Sequence, residues 1–238
     1  MCIACQRMAP DRRTFLSWSA AGLATASLFG APIAFAAGAT TGVTADEALA
    51  KLKAGNDKYV SAPQLCAADL SAQREHVATA QAPWATIVSC SDSRVPPELL
   101  FGGLGIGELF VARNAGNMAD TATMGTIEYG AEHLGVPLIV VMGHERCGAV
   151  AAACAVVENH ATFPGSIGPM VSAIVPAAKA VFGKPGDFVD NAVRENAKRT
   201  AKKIATKSSI VSHLIKESKV KVVAARYDLD DGRVEFLT

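Results

Sequence analysis

Two short apolar runs, Ala85-Thr86-Ile87-Val88-Ser89 and Pro137-Leu138-Ile139-Val140-Val141-Met142, are continuous rather than alternating, and each leads straight into polar chemistry. A strand that is apolar on both faces must be covered on both faces, which is the condition of a parallel sheet clad in helices. The first run opens onto Cys90-Ser91-Asp92-Ser93-Arg94, and the second, through Gly143, onto His144-Glu145-Arg146-Cys147. Open parallel sheets take ligands beyond the carboxyl ends of their strands, at the point where strand order reverses. If these two strands are neighbours there, Cys90 and His144 meet at one sheet edge. Cys147 then faces them from the first turn of the next helix, one turn from His144.

The remaining segments supply the alternation such a sheet needs. Thr44-Ala45-Asp46-Glu47 is a capping box, and it predicts a helix over about 44–60 with Gly55 as its weak point. A second helical segment is expected over 71–79, and a second strand over 109–112, leading into Arg113-Asn114-Ala115-Gly116-Asn117. Helices are predicted over 121–134 (stopped by Gly135), 147–157, 167–182, 187–204 and 209–217. A fourth strand over 220–226 turns at Asp231-Gly232 into an antiparallel edge over 234–237. The fold class is therefore α/β: a mostly parallel sheet of about four strands with an antiparallel edge strand, helices on both faces and an N-terminal helical arm. The glycines of 101–107 do not match a dinucleotide fingerprint, and no strand feeds them.

Residues 1–36 read as an export signal and 37–238 as one catalytic domain. Arg12-Arg13-Thr14-Phe15-Leu16 precedes an Ala/Gly-rich apolar stretch that ends in Ala34-Phe35-Ala36, a small-residue cleavage site. Paired arginines of this kind resemble a twin-arginine signal, implying the export machinery as a partner and a periplasmic destination. Cys2 and Cys5 fall inside that leader, so their spacing carries no chemistry. A formal net charge of +1 with 19% charged residues gives no electrostatic reason to expect nucleic acid or an anionic membrane. The basic run from Lys198 to Lys207 is a solvated helix face.

Cys90, His144 and Cys147 form a Cys₂His set, the donors zinc uses when one position stays open for water or substrate. One zinc per subunit is expected, and its chemistry is hydroxide generated near neutral pH. Two thiolates cancel the charge of the ion, so an alkaline-shifted pH–rate profile is expected. Asp92 has two open roles: fourth ligand of a closed site, or acceptor for a hydrogen bond from the nucleophile while Arg94 holds it off the metal. A third reading makes Asp92 a loop cap. Cys154 is expected as buried packing, and His133, His160 and His213 as surface or capping residues. The deaminase pattern H-x-E with P-C-x-x-C is absent, as is a C-x-x-C redox pair after the leader.

C-S-D-S-R and H-x-x-C-G, with G-E-L-F-V-A-R-N between them and I-E-Y at 127–129, closely resemble the β-class carbonic anhydrases. The resemblance implies reversible hydration of carbon dioxide to bicarbonate and a proton, with Cys90, His144 and Cys147 as zinc ligands and Asp92 and Arg94 as a catalytic pair. It further implies that Gln81, Phe110, Ala115, Tyr129 and the Gly148 amide bind substrate, and that the chain forms a homodimer or higher homo-oligomer with its pocket near the subunit interface. Ile87, where the family's allosteric branch has Trp, implies the branch without a regulatory bicarbonate site. Alternative functions left open are a related zinc hydrolase of carbon disulfide or carbonyl sulfide, and a noncatalytic closed-zinc module.

Overall fold

A computed structural model describes residues 41–62 and 70–237. The expected leader with its cleavage site, and Cys66, lie outside the described residues. Thr44 caps the first helix, α1 (Ala45–Ser61), in the predicted capping box: its hydroxyl accepts from the Glu47 amide while the Glu47 carboxylate accepts from the Thr44 amide. The elements then follow as α2 (Leu70–Val77), β1 (Ala85–Cys90), α3 (Pro97–Leu100), β2 (Leu109–Asn114) and α4 (Thr121–Glu132). After these come β3 (Leu138–His144), α5 (Gly148–Asn159), α6 (Ile167–Val181), α7 (Phe188–Lys207), α8 (Ser209–Lys216), β4 (Lys221–Tyr227) and β5 (Val234–Leu237).

The sheet has five strands in the order β2-β1-β3-β4-β5, the first four parallel and β5 antiparallel to β4. Every residue of β1 and β3 is buried, as continuous apolar runs require. Alternation then divides each strand between two cores. Leu138, Val140 and Met142 pack with Ala48 and Leu52 of α1 and with Leu100 and Phe101, while Ile139 and Val141 pack with α4, α7 and α8. Helices thus cover both faces. A third cluster joins Cys90 and Cys147 to α5, α6 and the first turns of α7.

Gly55, expected as a weak point of α1, has a packing reason instead. A Cβ there would collide with the carbonyl oxygen of Phe101, so the glycine lets the helix backbone lie against the 101–102 turn. One residue on, buried Asn56 donates to the carbonyls of Leu100 and Gly232 and accepts from the Val234 amide. A single side chain thereby ties α1 to α3 and to the β4–β5 hairpin.

Candidate metal centre

Cys90 is the last residue of β1 and His144 the last of β3, and these strands are parallel neighbours. The chain leaves β1 for β2 on one side of the sheet and builds β3 and β4 on the other, so the strand order reverses between them. The two side chains are brought together there by topology. Cys147 reaches them by a different route from the expected helical spacing. Residues 145–146 form a turn with Arg146 in the left-handed region (φ 51°), and Cys147 is the extended N-cap of α5 rather than part of its first turn.

The three donor atoms lie within 4.8 Å of one another, and all three residues are buried. The sulfurs of Cys90 and Cys147 are 3.9 Å apart, far beyond a disulfide bond. Two thiolates on a tetrahedral zinc with Zn–S of about 2.3 Å would stand about 3.8 Å apart. His144 Nδ1 lies 2.9 Å from the carbonyl oxygen of Glu145, an acceptor, so Nδ1 carries the proton and Nε2 presents its lone pair. That Nε2 is buried without a hydrogen-bond partner. A buried lone pair facing two sulfurs is costly unless a cation takes it up. The donor set fits zinc.

The thiols divide one proton unequally. Cys90 is pushed down to about 4, first by the hydrogen bond from Cys147 and further by the Gly116 amide, whose nitrogen is 3.5 Å from its sulfur. Cys147 is pushed up by donating to Cys90 and then by burial, while the Ala149 and Val150 amides at the start of α5 act in the opposite direction. Gly116 needs its glycine: φ is 84°, and a Cβ would come within 2.5 Å of Ile174 Cδ1. Asn196 of α7 donates to the Gly116 carbonyl at 2.8 Å, fixing the turn that supplies that amide.

Asp92 is held in a fork by Arg94, with Nε to Oδ1 at 2.9 Å and Nη2 to Oδ2 at 2.8 Å. The Arg94 guanidinium keeps the carboxyl well below the usual carboxylate range. Asp92 Oδ2 is 3.8 Å from His144 Nε2, yet the carboxylate is not one of the three clustered donors. Arg94 holds it aside, and Oδ1 also accepts from the Arg94 amide at 3.0 Å, the loop-cap contact of the third reading. Arg113 was given no role by sequence reasoning. It donates through Nε to the Cys90 carbonyl at 2.9 Å and through Nη2 to the Asp92 carbonyl at 2.7 Å. Its place in R-N-A-G-N, straight after the second strand, was the available signal.

Of the predicted substrate-side residues, Ala115 and Gly148 sit beside the cluster, in the turn after β2 and at the start of α5. Gln81, Phe110 and Tyr129 do not. Phe110 is in register with Thr86, four residues before Cys90, which places it about 13 Å away along the sheet. Tyr129 stands next to Phe110, with ring centroids 6.3 Å apart, and Gln81 precedes β1 on the surface. Within one chain these three lie at the opposite strand ends. Cys154 is buried as expected, and burial pushes its thiol up to about 11. His160 caps α5 in the left-handed conformation, His213 is exposed beside Glu217, and His133 stacks on Tyr129. A further acidic group, Glu145, Asp228 and Asp230, is neutralised by Arg146 and Arg226 and reads as an ion-pair network.

A carbonic anhydrase family profile matches residues 85–234. Carbonic anhydrase 2 of Mycobacterium tuberculosis is 37% identical over 185 residues, covering 76% of this chain and 87% of that protein. Among solved structures, a tetrameric β-carbonic anhydrase from Sordaria macrospora aligns with a TM-score of 0.62 at 26% identity, covering 70% of this chain and 88% of that one. The Coccomyxa β-carbonic anhydrase in complex with acetazolamide aligns at 0.61 and 26% identity, covering 83% and 87%. The chain belongs to the β-class carbonic anhydrase family.

Proposed function

We propose that this protein reversibly hydrates carbon dioxide to bicarbonate and a proton at a zinc ion held by Cys90, His144 and Cys147, one ion per chain. The observation that carries the reading is the buried, unpartnered His144 Nε2 facing two sulfurs 3.9 Å apart, beside a carboxylate clamped by arginine. Membership of the family and a relative named carbonic anhydrase 2 support it. Zinc supplies the Lewis acidity that brings the ionisation of a water toward neutral pH. The chain's own residues supply the rest. The Glu145 carbonyl fixes the His144 tautomer, and Asp92 offers an oxygen that can accept a hydrogen bond from the nucleophile and so orient it. Arg94 keeps that oxygen ionised and aimed. The Gly148 amide can donate to a bicarbonate oxygen, and the small Ala115 leaves room for an apolar gas.

Gln81, Phe110 and Tyr129 complete the pocket only if a neighbouring copy brings them. This is the reading in which the chain is a homodimer or larger homo-oligomer, and the tetrameric relative supports it. Residues 1–36 serve as a twin-arginine-type signal that delivers the 37–238 domain to the periplasm; Arg12-Arg13 and the Ala34-Phe35-Ala36 site support this reading.

Stopped-flow carbon dioxide hydration by the zinc-loaded protein, beside a Cys147→Ser variant, tests the activity. Hydration far above the buffer rate that collapses in the variant is the expected result. A rate equal in both would refute it.

A further inference from the structure

The turn between His144 and Cys147 rests on one unusual residue. Arg146 takes φ 51°, a conformation that side-chain-bearing residues adopt uncommonly and at an energetic cost. His144 on one side is locked into β3, and Cys147 on the other begins α5. The dihedrals of Arg146 therefore set how the imidazole and the second thiol stand to each other.

The Arg146 side chain is held by the neighbouring Glu145 carboxylate, Nη1 to Oε1 at 3.1 Å, and from the far end of the chain. Arg146 Nη1 donates to Asp230 Oδ2 at 3.0 Å and Nη2 to Asp230 Oδ1 at 2.7 Å, a two-bond fork. Asp230 lies in the β4–β5 hairpin, which is itself pinned. The Asp228 carboxylate accepts from the Asp230 and Asp231 amides at 2.9 and 3.2 Å, and the Leu229 amide donates to Glu145 Oε2 at 3.2 Å. The hairpin is thus a fixed post, and Asp230 is its tether to the ligand turn. Asp230 itself is 72% exposed and belongs to the acidic group with Glu145 and Asp228, not to the Cys90, His144 and Cys147 donors.

Resting on the zinc reading above, we infer that Asp230 is a positioning residue for the metal centre: through its fork on Arg146 it holds the left-handed turn that sets His144 against Cys147. Its effect passes through the backbone of Arg146 and not through its charge. A glycine at 146 adopts the same dihedrals freely and needs no tether.

Zinc dissociation constants measured by chelator competition on the full-length protein test this, using the unaltered chain, Asp230→Asn, Arg146→Gly and the double variant. Asp230→Asn should weaken zinc binding by about 10-fold, the low end of what outer-shell partners contribute. Arg146→Gly should stay within about twofold of the unaltered chain, and Asp230→Asn should add nothing on that background. Equal weakening by Asp230→Asn in both backgrounds would mean its charge acts directly, and would overturn the inference. So would an unchanged constant for Asp230→Asn when the unaltered chain binds zinc normally. An unaltered chain that takes up no zinc would overturn the proposed function, and this inference with it.

Discussion

Arg94 and Asp92 show how two residues two positions apart divide a task. The carboxylate alone could turn toward a cation; with both its oxygens held by guanidinium nitrogens it stays near His144 without joining the donors. Its pKa lies below the ordinary carboxylate range, so it is ionised at every pH above that range, and whatever the fork contributes to stability is lost only in acid as the group protonates. Arg94→Ala should therefore lower kcat/KM for hydration by about 100-fold or more through lost orientation. Zinc content should be unchanged. An unchanged maximal rate would count against an orienting role. The thiolates predict where the midpoint of the pH–rate profile lies: two of them neutralise the ion, so it should fall above about pH 7, the value seen for zinc on three histidines.

At the scale of elements, the close contact of α1 with the 101–102 turn makes Gly55 a sharper test than any large core residue. Gly55→Ala should destabilise the protein by about 2 kcal/mol or more in urea unfolding, although alanine favours helix, because its methyl must displace a backbone carbonyl. A neutral or stabilising result would mean that the helix shifts freely. The sheet was legible because β1 and β3 are apolar on both faces, and α1 because Thr44 and Glu47 form a complete cap. The clustering of Cys90, His144 and Cys147 was legible because donor types and strand ends coincide. What sequence reasoning mistook was the path from His144 to Cys147, taken as a helical turn. Nothing in His-Glu-Arg-Cys marks Arg146 as left-handed, since the residue inferred to hold it, Asp230, is 84 positions away. Arg113 escaped for a similar reason, because its acceptors are backbone carbonyls, which every residue has.

At the scale of the whole molecule, the proposed pocket, divided between strand ends, predicts complementation between chains. Cys147→Ser lacks a ligand, and Tyr129→Ala lacks a pocket wall. If neighbouring copies exchange Tyr129, mixed oligomers of the two variants should exceed the hydration rate of either variant alone, because one site in each mixed pair has both an intact donor set and an intact tyrosine. No recovery in oligomers verified as mixed would place the pocket within a single chain. The proposed export bears on the same thiols. Cys90 and Cys147 would be exposed to oxidants if they crossed unfolded, whereas a route that carries folded protein lets both be buried first. Rerouting the 37–238 domain through an unfolded export path should lower its zinc content and activity; full recovery of both would remove that rationale.

The account turns on which atoms surround the metal, and X-ray absorption at the zinc edge of the purified protein reads this directly. Two sulfur scatterers and one imidazole per zinc, with one light atom completing the shell and a sulfur lost in Cys147→Ser, is the predicted outcome. A shell made only of oxygen and nitrogen, or one unaltered by Cys147→Ser, would contradict it.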